Sequence, residues 1–205
     1  MLTEAIKIDE KNHFSTKAET LFNLLTKLTT AKVLPLYFFT VSAWKADRNN
    51  VLSELRKVDW FHQKIVIRSS AIGEDSKESS LAGQYASVIN VQGEESFIAA
   101  VKKVIASFDS DNLNHQVLVQ PHLSDVIISG VVFGRDPNTD GPYIVINYDD
   151  SSGDTTSVTS GLSNHKCHIR HHWPPPQHIL RMKTLLLARS LTLSMSLRIY
   201  LILIT

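Results

Sequence analysis

The spacing of apolar residues changes repeatedly along this chain, and each change marks a different element. Leu21, Leu24, Leu25 and Leu28 recur at the interval of one helix face. Ahead of them Thr16-Lys17-Ala18-Glu19 has the form of a capping box, so the pattern predicts a first helix over 17–30. An apolar and aromatic run at 33–41 reads as a strand, and Ser42 then offers an N-cap for a second helix through Trp44, Val51, Leu52 and Leu55. Ile65, Val66 and Ile67 form a short β-branched strand ending at Arg68. The clearest helix is predicted over 94–108, with Phe97, Ile98, Val101, Val104, Ile105 and Phe108 on one face and Glu94 and Glu95 at the positive end of its dipole.

Runs of strand length follow at 117–120, 126–133 and 143–147. The last two are separated by Asp136-Pro137-Asn138-Thr139-Asp140-Gly141-Pro142, strong turn chemistry that predicts a hairpin. Helices early and mostly antiparallel strands later give an α+β class, a sheet flanked by helices.

Composition adds a boundary. The 205 residues are 43% hydrophobic and nearly neutral at +1, which suits a globular core. All 20 acidic residues nevertheless precede Cys167, leaving 1–167 net acidic, whereas 168–205 holds five basic residues and no acid. Two domains are therefore expected: a folded 1–167 and a basic tail over 168–205, poorly ordered or derived from a frameshift, with the native frame ending near Cys167. Arg189 and Arg198 interrupt the apolar stretch 185–204, so no membrane span is expected there. The lone Cys167 excludes an internal disulfide and fits a reducing, cytoplasmic location, and Met1 to Lys7 contains no apolar core of signal-peptide length. Net acidity without a basic stripe argues against nucleic acid as a partner. His165, His168, His171 and His172 surround Cys167 without CxxC or HExxH spacing, so zinc is not expected.

The chemistry concentrates in Arg68-Ser69-Ser70-Ala71-Ile72-Gly73-Glu74-Asp75 and, after a gap, Ser79-Ser80-Leu81-Ala82-Gly83-Gln84-Tyr85. A guanidinium fork, hydroxyls and glycines that admit close backbone approach are the inventory of a polyphosphate cradle. Residue types alone leave a second reading open, a solvated loop whose Arg68 pairs with Glu74 or Asp75. By the same measure Lys17 reads as a solvated helix lysine, Ser87 as an exposed strand hydroxyl and Gln120 as an exposed strand end.

The motifs resemble a known family. Arg68 to Asp75, Ser80 to Gln84 and Ser87 to Val91 are similar to the R-S-S-A-x-x-E-D, S-x-A-G-Q and N-V-ending strand of the N-terminal nucleotide-binding domain of phosphoenolpyruvate synthases, pyruvate phosphate dikinases and rifampicin phosphotransferases. Val117 to Pro121 resembles that family's V-V-Q strand, and Ser129 to Pro137 its S-G-V-x-F-T-R-D-P. The resemblance covers about 17–161. It implies an ATP-grasp-like fold, ATP and Mg²⁺ as cofactors, and phosphoryl transfer to a carrier histidine on another domain or chain, working with a PEP/pyruvate-binding domain. No carrier-histidine segment is recognisable in the sequence.

The resemblance also implies roles. Lys17, in a K-A-x-x-L context lacking the family's preceding glycines, and Arg68, Ser69 and Ser70 would contact nucleotide phosphates; Gly83 and Ser87 would lie on the nucleotide-covering segment, and Gln120 at the adenine edge. Arg68 and Arg135 would neutralise charge on the transferring group, although a structural Arg135–Asp136 turn competes and Gly134 stands where the family has Thr. Asp154 and Asp149 are the metal candidates where the family's G-L-G-E is replaced, with Asp150 an alternative and a plain acidic turn the competing account. An inactive nucleotide-binding module or truncated gene product is the alternative function.

Overall fold

A computed structural model describes residues 16–27, 31–73, 75–76, 79–80, 85–109, 111–124, 126–133, 136, 138–139, 141, 143–151, 165–170 and 199–203. Helix α1 (Lys17–Leu24) starts at Thr16, whose hydroxyl accepts the Glu19 N–H at 3.3 Å. It tightens sooner than the leucine spacing predicts, because Leu25 and Lys27 donate to carbonyls only three residues back, Phe22 and Leu24.

Strand β1 (Tyr37–Thr40) is shorter than the apolar run because Val41 and Ser42 turn their N–H groups to the carbonyls of His115 and Leu113. The helix expected after it is two helices. Thr40, rather than Ser42, caps α2 (Val41–Ala46), and Asp47 leaves the helical region at φ −150° and ψ 84°, where its carboxylate accepts Asn50 N–H at 3.0 Å. An N-cap side chain competing for backbone donors ends one helix and starts α3 (Arg48–Arg56). A 3-10 turn (Asp59–His62) leads into β2 (Ile65–Ser70). The two-residue strands β3 (Asp75–Ser76) and β4 (Ser79–Ser80) pair with each other, and β5 (Ser87–Val91) follows. Gly93 at φ 82° turns the chain into α4 (Glu94–Ala106), a backbone conformation that glycine adopts without strain. Strands β6 (Gln116–Pro121), β7 (Ile128–Phe133), β8 (Tyr143–Asp149), β9 (His165–Arg170) and β10 (Ile199–Leu203) complete the order.

The chain divides into two compact units, 1–122 and 123–205. In the first, an antiparallel sheet runs β1-β6-β2-β5. Phe97, Ala100, Val101 and Val104 of α4 recur at helical spacing and pack with Ile65, Ile67, Val117, Val119, Phe39 and Val91, joined by Trp44, Val51, Leu52, Leu55 and Phe61. Phe97 is fully buried, its ring edge-on to Phe61 at 5.3 Å and to Trp44 at 6.0 Å. Strand β5 carries a bulge: Ile65 faces Val91 and Ile67 faces Val88, so β5 spends one residue more than β2, with Asn90 at φ 57°.

The second unit has the order β10-β7-β8-β9. The expected hairpin is present, with Phe133 opposite Val145 and Ser129 opposite Asp149. Gly130 is required there, since a Cβ would stand 2.8 Å from the Asn147 carbonyl oxygen. Strand β9 crosses the compositional boundary after Cys167, and β10, inside the acid-free tail, runs parallel to β7. The two compact units thus meet at 122/123, a division that the sequence reading does not place there.

Two expectations follow from the first core. Phe97→Ala removes the ring that joins α4 to two other aromatics and should cost about 3–5 kcal/mol of unfolding free energy, read by urea denaturation. Burial first, and the Glu54 carboxylate second, hold the Tyr37 phenol above its ordinary 10.0. The unfolded chain then releases this proton before the folded one, so the contribution of Tyr37 is intact below pH 10.0 and declines as pH rises through the elevated native value. The unfolding free energy, measured by urea denaturation from pH 9 upward, should fall less steeply in Tyr37→Phe than in the parent.

Candidate functional site

Residues opposite each other in an antiparallel ladder share a face, and neighbours along a strand alternate. Ile65, Ile67 and Ser69 of β2, with Val117 and Val119 of β6, therefore look toward α4. Val66, Arg68 and Ser70 look the other way, opposite Gln120, Leu118 and Gln116. β1 adds Phe38 and Thr40 to that second face, and β5 adds Ser87, directly across from Arg68. Four sequence candidates, Arg68, Ser70, Ser87 and Gln120, thus share one side of the sheet. Ser69 does not, and is buried on the core side opposite Val117.

Arg68 is not the terminal residue of its strand. Pairing of Ser69 with Val117 and Ser70 with Gln116 carries β2 past it, so the half-buried Arg68 sits within the ladder between β5 and β6. That is a stiffer mount than a loop. Ser87 is exposed, whereas Gln120 is buried near the end of β6.

The same face receives α1. The Phe22 ring lies edge-on to Phe38 at 6.0 Å, and Ala18 donates its N–H to the Ser70 hydroxyl at 2.9 Å. Ser70 is fully buried and its hydroxyl also approaches Gln116 Oε1 at 3.5 Å. The Thr16 hydroxyl donates to Gln116 Oε1, while Gln116 Nε2 donates to the Glu19 carboxylate at 2.7 Å. Glu19 N–H goes to Thr16 Oγ1 and Thr20 N–H to the Thr16 carbonyl. Two first-turn amides, those of Ala18 and Glu19, are consequently satisfied inside the protein, and Lys17 stands half-buried at the start of a helix clamped to the Arg68 face.

Gln116 and His115 were not legible as site residues. Gln116 is 6% exposed and ties Thr16, Ser70 and Glu19 together; nothing in the sequence marks it except its place just before Val117-Leu118-Val119. Next to it, buried His115 accepts Ile72 N–H on Nδ1 at 3.1 Å.

In the second unit Asp149 is 3% exposed, and one carboxylate oxygen accepts both the N–H and the hydroxyl of Ser151, at 2.9 and 3.0 Å. This is the hydrogen bonding of an acidic turn. Asn147, two residues earlier on the same face of β8, has its side-chain oxygen buried without a hydrogen-bond partner. Gly83, Arg135 and Asp154 lie outside the described residues. Among the described residues no three His, Cys, Asp or Glu side chains gather to hold a metal, and no helix is long and apolar enough to cross a membrane.

The sequence profile described as pyruvate phosphate dikinase, AMP/ATP-binding domain, matches residues 46–164. The chain belongs to that family. As a pyruvate phosphate dikinase-type AMP/ATP-binding domain it is 33% identical over 105 residues to an uncharacterized phosphotransferase, YvkC, of Bacillus subtilis, covering 45% of this chain. It is 38% identical over 90 residues to a phosphoenolpyruvate synthase of Aeropyrum pernix, covering 37% of this chain. The aligned parts span only 13% and 11% of those two relatives. Arg68, Ser87 and Gln120 fall inside the profile match, and Lys17 precedes it.

Gln116→Leu keeps the volume of a side chain at the hub of the clamp but strands three polar partners. The AMP/ATP-binding domain should lose about 1–3 kcal/mol of stability in urea denaturation, with α1 becoming accessible to limited proteolysis before the sheet does.

Proposed function

We propose that this domain binds Mg-ATP on the sheet face bearing Arg68 and supplies the γ-phosphoryl group to a carrier histidine on another domain or chain. The observation that carries the reading is the convergence of Arg68, Ser87 and Gln120 on one face, beside a helix start bearing Lys17. Arg68 and the Lys17 ammonium supply opposite charge to phosphates, Arg68 in a forked geometry that a lysine lacks. Gln120 offers a donor and an acceptor on one amide, which suits a purine edge. Ser70 acts at one remove, by holding the first turn of α1 through Ala18. Gly83 on the covering segment and Arg135 on the transferring phosphoryl group complete the assignment, within an ATP-grasp arrangement and a cytoplasmic setting.

Magnesium takes hard oxygen donors, and the second unit by itself contains a fitting pair. The unsatisfied Asn147 side-chain oxygen and the Asp149 carboxylate stand two residues apart on one face of β8. These two, with Asp154, would hold the ion on the second unit. Phosphoryl transfer is mostly positioning and charge neutralisation, so the arginines and the lysine need only orient the triphosphate.

An inactive nucleotide-binding module is the second reading, favoured by the engagement of Asp149 with Ser151. Thermal unfolding separates the cases in two steps. Magnesium-dependent ATP should raise the melting temperature of the parent and not of Arg68→Ala; at a hundredfold excess over Kd the gain is about 2.7 kcal/mol. Identical melting of both proteins with and without nucleotide overturns ATP binding at this face. Protection without transfer of labelled phosphate to an added carrier-histidine domain selects the inactive module.

A further inference from the structure

His115, which the ATP assignment does not use, lies buried between α4 and β6. Its Nδ1 accepts Ile72 N–H, two residues past the end of β2. Its ring stacks on Phe108 with centroids 4.7 Å apart and planes at 28°, and Phe108 in turn meets the ring of Tyr85 at 5.6 Å, two residues before β5. The neighbouring Ala86 is held as well: its N–H donates to the Ser107 hydroxyl at 3.0 Å and its carbonyl accepts Ser69 N–H at 3.3 Å. Ser107 is itself fixed, donating to the Val104 carbonyl at 2.7 Å. His115 is anchored through its backbone, with its N–H on Asn112 and its carbonyl taking Val41 N–H. The chain leaving β2 and the chain entering β5 are therefore fastened to one post, made of Ser107 and Phe108 just past α4 and His115 just before β6.

We propose that His115 is a positioning residue for nucleotide binding: it fixes the exit of β2 at Ile72 and, through Phe108, the entry of β5 at Tyr85, and with them the placement of Ser87 beside Arg68. The inference rests on the reading of Arg68 and Ser87 as ATP-contacting. The chemistry required of position 115 is an acceptor aimed at Ile72 N–H, with a flat ring behind it. Two substitutions separate these demands. His115→Phe keeps a ring against Phe108 and removes the acceptor, whereas His115→Asn keeps an acceptor at the corresponding δ position and gives up the ring.

The test uses the full chain and two measurements: amide exchange at Ile72 without nucleotide, and ATP affinity in the presence of magnesium. His115→Phe should exchange faster at Ile72 and bind ATP roughly five- to tenfold more weakly, the loss expected for one hydrogen bond. His115→Asn should restore most of the Ile72 protection and stay closer to the parent in affinity. Ser107→Ala, which frees Ala86 without touching His115, should weaken ATP binding in the same direction, and it decides the matter should His115→Phe fail to fold. Parental ATP affinity in folded His115→Phe, or in Ser107→Ala when that variant is the one in use, overturns the proposal. A parent protein that binds no ATP overturns the functional reading instead, and is recognised without any variant.

Discussion

The pairing of β2 with β6 over six positions, from Ile65 opposite Pro121 to Ser70 opposite Gln116, is the constraint on which the first unit depends. An antiparallel ladder forces each residue to one side or the other, and here the two sides have different work. Isoleucines and valines on one side complete the core with α4. Arg68 and the glutamines on the other are held by the same backbone bonds. A slip of one residue would send Arg68 into the apolar layer and Ile67 out of it, so core burial also fixes the aim of the guanidinium.

The clamp around Gln116 extends that constraint to α1. Burying an amide, two hydroxyls and part of a carboxylate is unfavourable unless each finds a partner, and here they satisfy one another. A helix start is commonly an anion site because its first amides are unpaired. In α1 Ala18 and Glu19 have given theirs to Ser70 and Thr16, which converts a diffuse positive end into a mechanical joint. Ser70, two steps along the same strand from Arg68, thereby fixes where the start of α1 and position 17 stand relative to that residue.

Much of this arrangement can be read from residue order. The α4 periodicity, the hairpin of β7 and β8, the Thr16 cap and the motif around Arg68 are local patterns, and local patterns survive folding when tertiary contacts agree with them. The AMP/ATP-binding family follows from the same motifs and is matched over 46–164. The break at Asp47 was less accessible, since a single carboxylate inside an amphipathic run reads as helix surface until its backbone leaves the helical region. The extension of β2 through Ser69 and Ser70 depends on β6, whose Gln116 is 46 residues from Ser70, and serine has no strand signature of its own. Ser69 and Ser70 look alike as letters, yet alternation sends one into the core and the other under α1. Gln116 and His115 have no motif at all, because their value lies in partners distant along the chain.

The extra residue in β5 carries a parity consequence. Val88 and Val91 both enter the core although they are three positions apart, an odd interval that a regular strand cannot place on one side. Asn90, a residue type that tolerates positive φ, absorbs the mismatch. Counting back from Val91 in an unbroken strand would deliver position 87 to the apolar layer; the inserted half-step delivers it beside Arg68. One left-handed asparagine thus works as a phase shifter, letting a single strand serve the oily interior at one end and the polar surface at the other.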